Sequence, residues 1–321
     1  RSFPALTGLF LILRTTGLAI GKVKPKRVLV IDPVMLAKWV ALNPTEQYMT
    51  LLNSWLYQAS WTIVGERDRF GGNLCREMEL EYSRLDERVT ITKLDRYERL
   101  RSLESKVAMS LLAEFGWVNL TYGKRVKEGK TAVIESIERT DFGDAMFAAV
   151  GTKWRRPDRE NSSLESELKP LFPQWRNRLP APGRTYRDGR YTLKFSWSNV
   201  WRRLVAPASL SLEDVTHLLL LAFEFYEDHL FQLEYRDASG REVIVCDPRI
   251  GEGDLFADDF RLGDVPLDEG ETISLLFDFG DCWRTQAVAD RGDSGSCQLE
   301  LGGQRNRRHQ IRIRGTGSGI V

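Results

Sequence analysis

Between residues 151 and 184 the hydrophobic periodicity of the chain stops. This stretch carries Arg155-Arg156-Pro157, Ser162-Ser163, Pro170, Pro173, Pro180 and Pro182. Prolines at that density interrupt helices and sheet ladders alike, so the segment reads as a linker with room for one short helix. A chain of 321 residues is already long for one core and suggests roughly two to three domains. Charge follows a similar division. Residues 185–290 hold 10 Arg and Lys against 21 Asp and Glu, whereas the remainder holds 36 against 24. The acidic part is poorly suited to gripping phosphate backbones, and any nucleic-acid contact is expected from the rest of the chain.

Residues 1–150 read as a winged-helix-like region. Pro4 fits the first turn of a helix, Leu6, Leu9, Phe10 and Leu13 recur on one face, and Gly17 can close it in a left-handed cap. Leu18–Val23 and Arg27–Ile31 then read as two strands around Lys24-Pro25-Lys26. A second helix starts at Asn43 and Pro44, with Glu46 placed for a capping box and Tyr48, Leu51, Leu52, Trp55 and Leu56 on one face. The order of helix and hairpin recurs: an apolar face from Leu100 to Phe115 ends at Gly116, strands are expected at Trp117–Tyr122 and Thr131–Ile137, and Thr140 can cap a short helix through Val150. The chain opens at Arg1 rather than Met, which fits a truncated first copy followed by a second.

The acidic part reads as an α+β domain, a mixed sheet with one packed helix. Strands are expected at Tyr191–Trp197, Val200–Ala206, Leu230–Arg236 and Glu242–Cys246, and Ile273, Leu275 and Phe277 alternate before a turn into Trp283–Ala289. Ser211 is a suitable cap for a helix whose Val215, Leu218, Leu219 and Ala222 face the core. From Arg291 the chain is rich in Gly and Arg and reads as a flexible tail, residues 291–321, with a divergent or frame-shifted end.

Three patches in this domain carry a resemblance. Val200-Trp201-Arg202-Arg203, Ala222-Phe223 through Asp228-His229-Leu230, and Asp278-Phe279-Gly280-Asp281 with Trp283 follow one another as in the plasmid pRiA4b ORF-3-like family, which the chain resembles from about Tyr186 to Asp290. The resemblance implies an association with plasmids or other mobile elements. Two departures stand out: Glu224-Phe225 replaces a frequent Gly-Trp, and the family's usual continuation after Asp290 is missing. No serine-recombinase catalytic segment accompanies the match.

Candidate chemistry is sparse. Asp278-Phe279-Gly280 invites comparison with a kinase magnesium loop, but no Gly-rich loop, strand lysine or H-R-D segment lies upstream. It reads instead as a tight turn in which Gly280 supplies unusual backbone angles and Asp278 and Asp281 bond local amides. The sharper alternative gathers Asp228, His229, Asp278 and Asp281 into a polar cluster for metal binding or acid–base work. Trp197, Trp201 and Trp283 with Phe223, Phe225 and Phe231 form either core or a stacking platform, with core favoured by the surrounding negative charge. Arg202 and Arg203 are expected to pair with the domain's own carboxylates. Cys75, Cys246, Cys282 and Cys297 are scattered without a C-x-x-C pair, signalling neither zinc nor disulfides, and Arg14, Thr15 and Thr16 interrupt the apolar run from Phe3 to Ile20.

The expected function is a non-enzymatic, cytoplasmic bacterial accessory protein without a cofactor. The N-terminal part would contact DNA or a protein, with Lys22, Lys24, Lys26 and Arg27 reading either as its DNA-phosphate contacts or as a solvated hairpin tip, and the acidic domain would bind a protein partner. The alternative is an enzyme acting on nucleic acid or a phosphorylated ligand through the Asp/His cluster.

Overall fold

The computed structural model describes residues 3–22, 28–66, 74–85, 88–90, 103–123, 134–150, 164–180, 182–197, 199–251, 255–290, 298–303 and 310–312. The chain divides into two compact units, residues 1–20 with 30–182 and residues 21–29 with 183–321.

Helix α1 (Pro4–Thr15) begins with proline in its first turn and closes at Gly17, whose φ of 70° only glycine adopts freely. Strands β1 (Ala19–Lys22) and β2 (Val28–Ile31), which follow it in the chain, pair with each other. Asp32 then accepts from the Val34 and Met35 amides and starts α2 (Pro33–Val40), a helix not anticipated even though Asp-Pro is a good cap and first-turn pair. In α3 (Pro44–Asn53) the capping box of Asn43 and Glu46 forms as expected. Glu46 does more: its second carboxylate oxygen accepts from the Arg176 and Asn177 amides and from Asn177 Nδ2. The Asn43 amide, together with these donors, outweighs burial and holds the carboxyl below its ordinary range. The apolar face expected to continue α3 does so through one π-helical stretch, Ser54–Gln58.

Helix α4 (Leu74–Ser83) and strand β3 (Arg88–Thr90) precede α5 (Leu103–Glu114), β4 (Val118–Tyr122), β5 (Ile134–Arg139) and α6 (Asp141–Val150). Gly116 repeats the left-handed cap of Gly17 with φ 76°, and the Thr140 hydroxyl accepts from the Gly143 amide to cap α6. Thus helix, hairpin and helix recur in one order, α1-β1-β2-α2 and α5-β4-β5-α6. The second hairpin gains β3 as a third antiparallel strand, in the order β3-β5-β4. Trp55 stacks on Phe115 at 5.3 Å, and the Trp117 indole donates to the Tyr48 hydroxyl, so buried aromatics join α3, α5 and β4 in one core.

The expected linker needs correction within its described part. Leu164 and Leu168, at the start and end of α7 (Glu165–Leu168), and Trp175 are buried in this same core. The prolines shape a strap that packs on the first unit, and the division falls after Pro182.

The second unit is a sheet covered by one helix. Its strands are β6 (Arg190–Trp197), β7 (Val200–Pro207), β8 (Phe231–Arg236), β9 (Glu242–Cys246), β10 (Thr272–Phe277) and β11 (Trp283–Asp290), close to the expected bounds. Their ladders are all antiparallel, so the expectation of a mixed sheet is corrected. Helix α8 (Leu212–Ala222) is capped by the Ser211 hydroxyl on the Asp214 amide, and its Val215, Leu218, Leu219 and Ala222 are buried. They meet Leu193, Phe195, Leu204, Phe231, Leu233, Ile273, Leu275 and Ala287, the alternate residues of five strands. The described residues of the tail, 298–303 and 310–312, depart from the expectation of flexibility. Strand β12 (Gln298–Gly303) pairs along β7 and β13 (Gln310–Arg312) pairs with β12, giving the order β13-β12-β7-β6-β11-β10-β8-β9. An open β7 edge would otherwise leave a row of unpaired backbone groups.

Candidate functional site

The sequence patches of the second unit meet at one end of its sheet, where the loop after α8, the segment after β9 and the β10–β11 turn lie side by side. Helix α8 ends in a Schellman motif: the Phe225 amide bonds to the Leu220 carbonyl, the Glu224 amide to that of Leu221, and Glu224 takes a φ of 61°. This turn sends Phe225 back onto Trp197, Phe277 and Trp283 at centroid distances of 5.4, 5.4 and 5.6 Å. Arg202 donates its Nε–H to the Ala222 carbonyl while its guanidinium lies 5.1 Å from the Phe223 ring. It therefore caps the negative end of α8, and the carboxylate its charge interacts with is Glu224, one residue past the helix C-cap.

Beyond Phe225 the chain runs exposed through Tyr226, Glu227, Asp228 and His229. Arg249 fixes this loop. Its guanidinium grips both oxygens of Asp247 and also donates to the carbonyls of Glu227 at 2.9 Å and His229 at 2.7 Å. The Asp247 side chain is only 1% exposed. Burial pushes its carboxyl up, but the bonds from Arg249 push it down further, and the net shift is downward. Sequence reasoning missed this clamp.

The turn from Asp278 to Cys282 flanks the loop. Asp278 Oδ1 accepts from the Gly280 amide at 2.9 Å and the Asp281 amide at 3.3 Å, the structural role expected of it. The unusual angles fall elsewhere than expected: Asp278 and Cys282 have φ of 53° and 56°, while Gly280 does not lie in the positive-φ region. Gly280 serves close approach instead, since a Cβ there would stand 3.2 Å from Asp278 Oδ1. All three non-glycine residues of positive φ among the described residues thus sit at this end, a concentration of backbone strain of the kind found at binding and catalytic sites.

Of the polar cluster, three members come together. His229 Nε2 lies 3.5 Å from Asp278 Oδ2 and 3.8 Å from Asp228 Oδ1. The His229 and Asp228 side chains are 52% and 65% exposed, so the group stands on the surface. Asp281 is exposed and contributes its amide rather than its carboxylate to the turn. Among the described residues no group of three or more His, Cys, Asp or Glu is arranged to hold a metal ion. The aromatic residues divide. Phe231 is core, Trp201 lies on β7 beneath Lys194 and Arg203, and Trp197, Phe223, Phe225 and Trp283 pack edge-on or tilted around a gap of about 20 Å³, room for little more than one water. Of the four basic candidates, Lys22 is exposed at the end of β1, and Lys24, Lys26 and Arg27 lie outside the described residues. No helix among the described residues is long and apolar enough to cross a membrane.

Residues 190–292 match the Plasmid pRiA4b ORF-3-like protein family. The matched residues span strands β6 to β11 of the antiparallel sheet, with α8 and the three loops just described, and this stretch is the pRiA4b ORF-3-like region of the chain. A solved protein of unknown function from Methanosarcina mazei Go1 is similar at 17% identity, covering 39% of this chain and 68% of its own, with a TM-score of 0.29. No curated protein matches the chain.

The departure at Glu224 has a physical consequence. A side chain at φ 61° costs about 1 kcal/mol relative to glycine. Glu224→Gly is accordingly expected to stabilise the second unit by about 1 kcal/mol in urea unfolding, and an unchanged or lower midpoint would count against the strained Schellman turn.

Proposed function

We propose that this chain is a non-enzymatic binding protein whose pRiA4b ORF-3-like region captures a basic segment of a partner protein. The observation that carries this reading is the exposure of the sheet end. Tyr226 and Phe279 are 84% and 42% exposed beside Glu224, Glu227, Asp228 and Asp281, on loops held in place by Arg249 and by the Asp278 turn. Exposed aromatics set among carboxylates suit Lys and Arg side chains, which gain both cation–π contact and charge. The Asp/His group supports an enzyme less well, because Asp278 Oδ1 is committed to its own turn and His229 faces solvent.

For the first unit the reading is winged-helix-like, supported by a helix followed by a hairpin in a three-stranded antiparallel sheet. The basic residues Lys22, Lys24, Lys26 and Arg27, from the end of β1 to the start of β2, would contact DNA phosphates, in a cytoplasmic bacterial protein of plasmids or other mobile elements. Many winged helices bind proteins instead, so the test uses two probes. Anisotropy of labelled duplex DNA and of a labelled Lys/Arg-rich peptide is measured against the whole chain across a salt series. Replacing the four basic residues by Ala is expected to weaken DNA binding and flatten its salt dependence while leaving peptide binding intact. DNA binding that survives the replacement unchanged removes the DNA assignment.

A further inference from the structure

Where α3 runs into its π-helical stretch, the buried helix face is polar. Thr50, Asn53 and Ser54 are all buried. With Gln58, Glu165 and Arg178 they line a cavity of about 350 Å³ within the first unit, walled on one side by Trp175. That volume falls in the range of small-molecule sites, roughly 300–1,000 Å³. Single π turns inside α-helices also occur frequently at functional sites.

Hydrogen bonding in this wall leaves a one-sided remainder. Asn53 Oδ1 accepts from the Leu164 amide at 3.1 Å, which sets the orientation of the side-chain amide. Its Nδ2 then has no partner among the described residues, although the residue is 8% exposed. Ser54 Oγ donates to Gln58 Oε1 at 3.0 Å, so Gln58 Nε2 is likewise left as a donor. Thr50 Oγ1 accepts from the Leu179 amide at 3.5 Å, leaving its hydroxyl proton. The chain uses the acceptors of this helix face to hold the strap, and the groups left over are donors. These donors open onto the cavity instead of being sealed in the core, and a one-sided set of donors around a cavity matches an occupant that accepts. Farther out, Arg178 Nη1 lies 3.4 Å from Glu165 Oε1.

We propose that this cavity binds a small carboxylate-bearing molecule. Its two oxygens accept from Asn53 Nδ2, Gln58 Nε2 and the Thr50 hydroxyl, and Arg178 supplies the counter-charge. Two side-chain amides and one guanidinium match a monoanion, while the Glu165 carboxylate disfavours a multiply charged phosphate.

Isothermal titration of the whole chain with acetate, succinate and glutamate tests this. At least one probe is expected to bind saturably. Asn53→Asp and Gln58→Glu keep the oxygens that hold Leu164 and Ser54 but exchange each free donor for an acceptor, so each should weaken binding about tenfold or more, while Asn53→Asp, which puts a carboxylate at a buried position, also lowers the melting temperature. Glu165→Gln, at a partly exposed position, should tighten it. No saturable binding by any of the three probes overturns the proposal, as does binding by the Asn53 and Gln58 variants equal to that of the unaltered chain. Should those variants fail to fold, unchanged affinity in Glu165→Gln overturns it.

Discussion

Arg249→Ala is expected to destabilise the second unit by about 3 kcal/mol, because it strands the Asp247 carboxylate in a site where its side chain is 1% exposed. The value belongs at the low end for a broken buried pair, since the Arg249 side chain is itself 46% exposed. The same change removes the donors to the Glu227 and His229 carbonyls, so hydrogen exchange should rise locally across the loop that follows α8. The pH dependence has a definite sign. Asp247 titrates below its ordinary value of 3.8 in the folded chain, so its contribution is present above that value and is lost as pH falls through the lower folded value. The stability gap between the unaltered chain and the variant should therefore be full near neutrality and narrow in acid. A variant with unchanged urea midpoint and unchanged exchange would show that the clamp does not hold the loop.

In the first unit, Gly143→Ala is expected to cost about 3 kcal/mol. Gly143 lies in the first turn of α6, pressed against Trp117, the residue before β4, and against Tyr82 of α4. An added Cβ would collide with the Trp117 carbonyl oxygen and stand 2.7 Å from both the Trp117 Cα and the Tyr82 hydroxyl. The carbonyl cannot retreat easily, because it accepts from the Thr140 amide at 3.0 Å and the Thr140 hydroxyl at 3.1 Å. Gly65→Ala makes a useful contrast: nothing lies within 4 Å of its added Cβ, although its φ of 79° still carries the left-handed cost. Chemical denaturation of the two variants should place Gly143→Ala well below Gly65→Ala, and equal midpoints would contradict the close approach of α6 to Trp117.

Local signals account for what was legible in the sequence. Ser211 with Asp214, Asn43 with Glu46, and Gly17 and Gly116 mark helix ends through bonds spanning a few residues, and the alternation along β6, β8 and β10 marks a sheet with one buried face. What failed depended on composition or on distant partners. The prolines of the strap hid the helical spacing of Leu164, Leu168, Phe172 and Trp175, whose apolar side chains are buried in or packed against the core. Arginines and glycines hid the alternation of Leu299 and Leu301 in β12. The Arg249 clamp had only a faint signal, the short-range pairing of Asp247 and Arg249; its grip on residues 227 and 229 exists because β9 lies beside β8 in the sheet. In the Asp278 turn the glycine was read as the bent residue because glycine tolerates such angles, yet the bend fell on Asp278 and Cys282, and Gly280 makes room for a carboxylate.

The exposed sheet end of the pRiA4b ORF-3-like region is proposed to bind a basic segment. The most direct test is the anisotropy of a labelled Lys/Arg-rich peptide titrated with the whole chain, with Tyr226→Ala/Phe279→Ala, and with Asp228→Asn/Asp281→Asn. All four side chains are exposed, so both variants should fold as the unaltered chain does. The account predicts binding that weakens with salt and falls about tenfold or more in each variant. Peptide affinity that is absent, or identical in all three proteins, would contradict it.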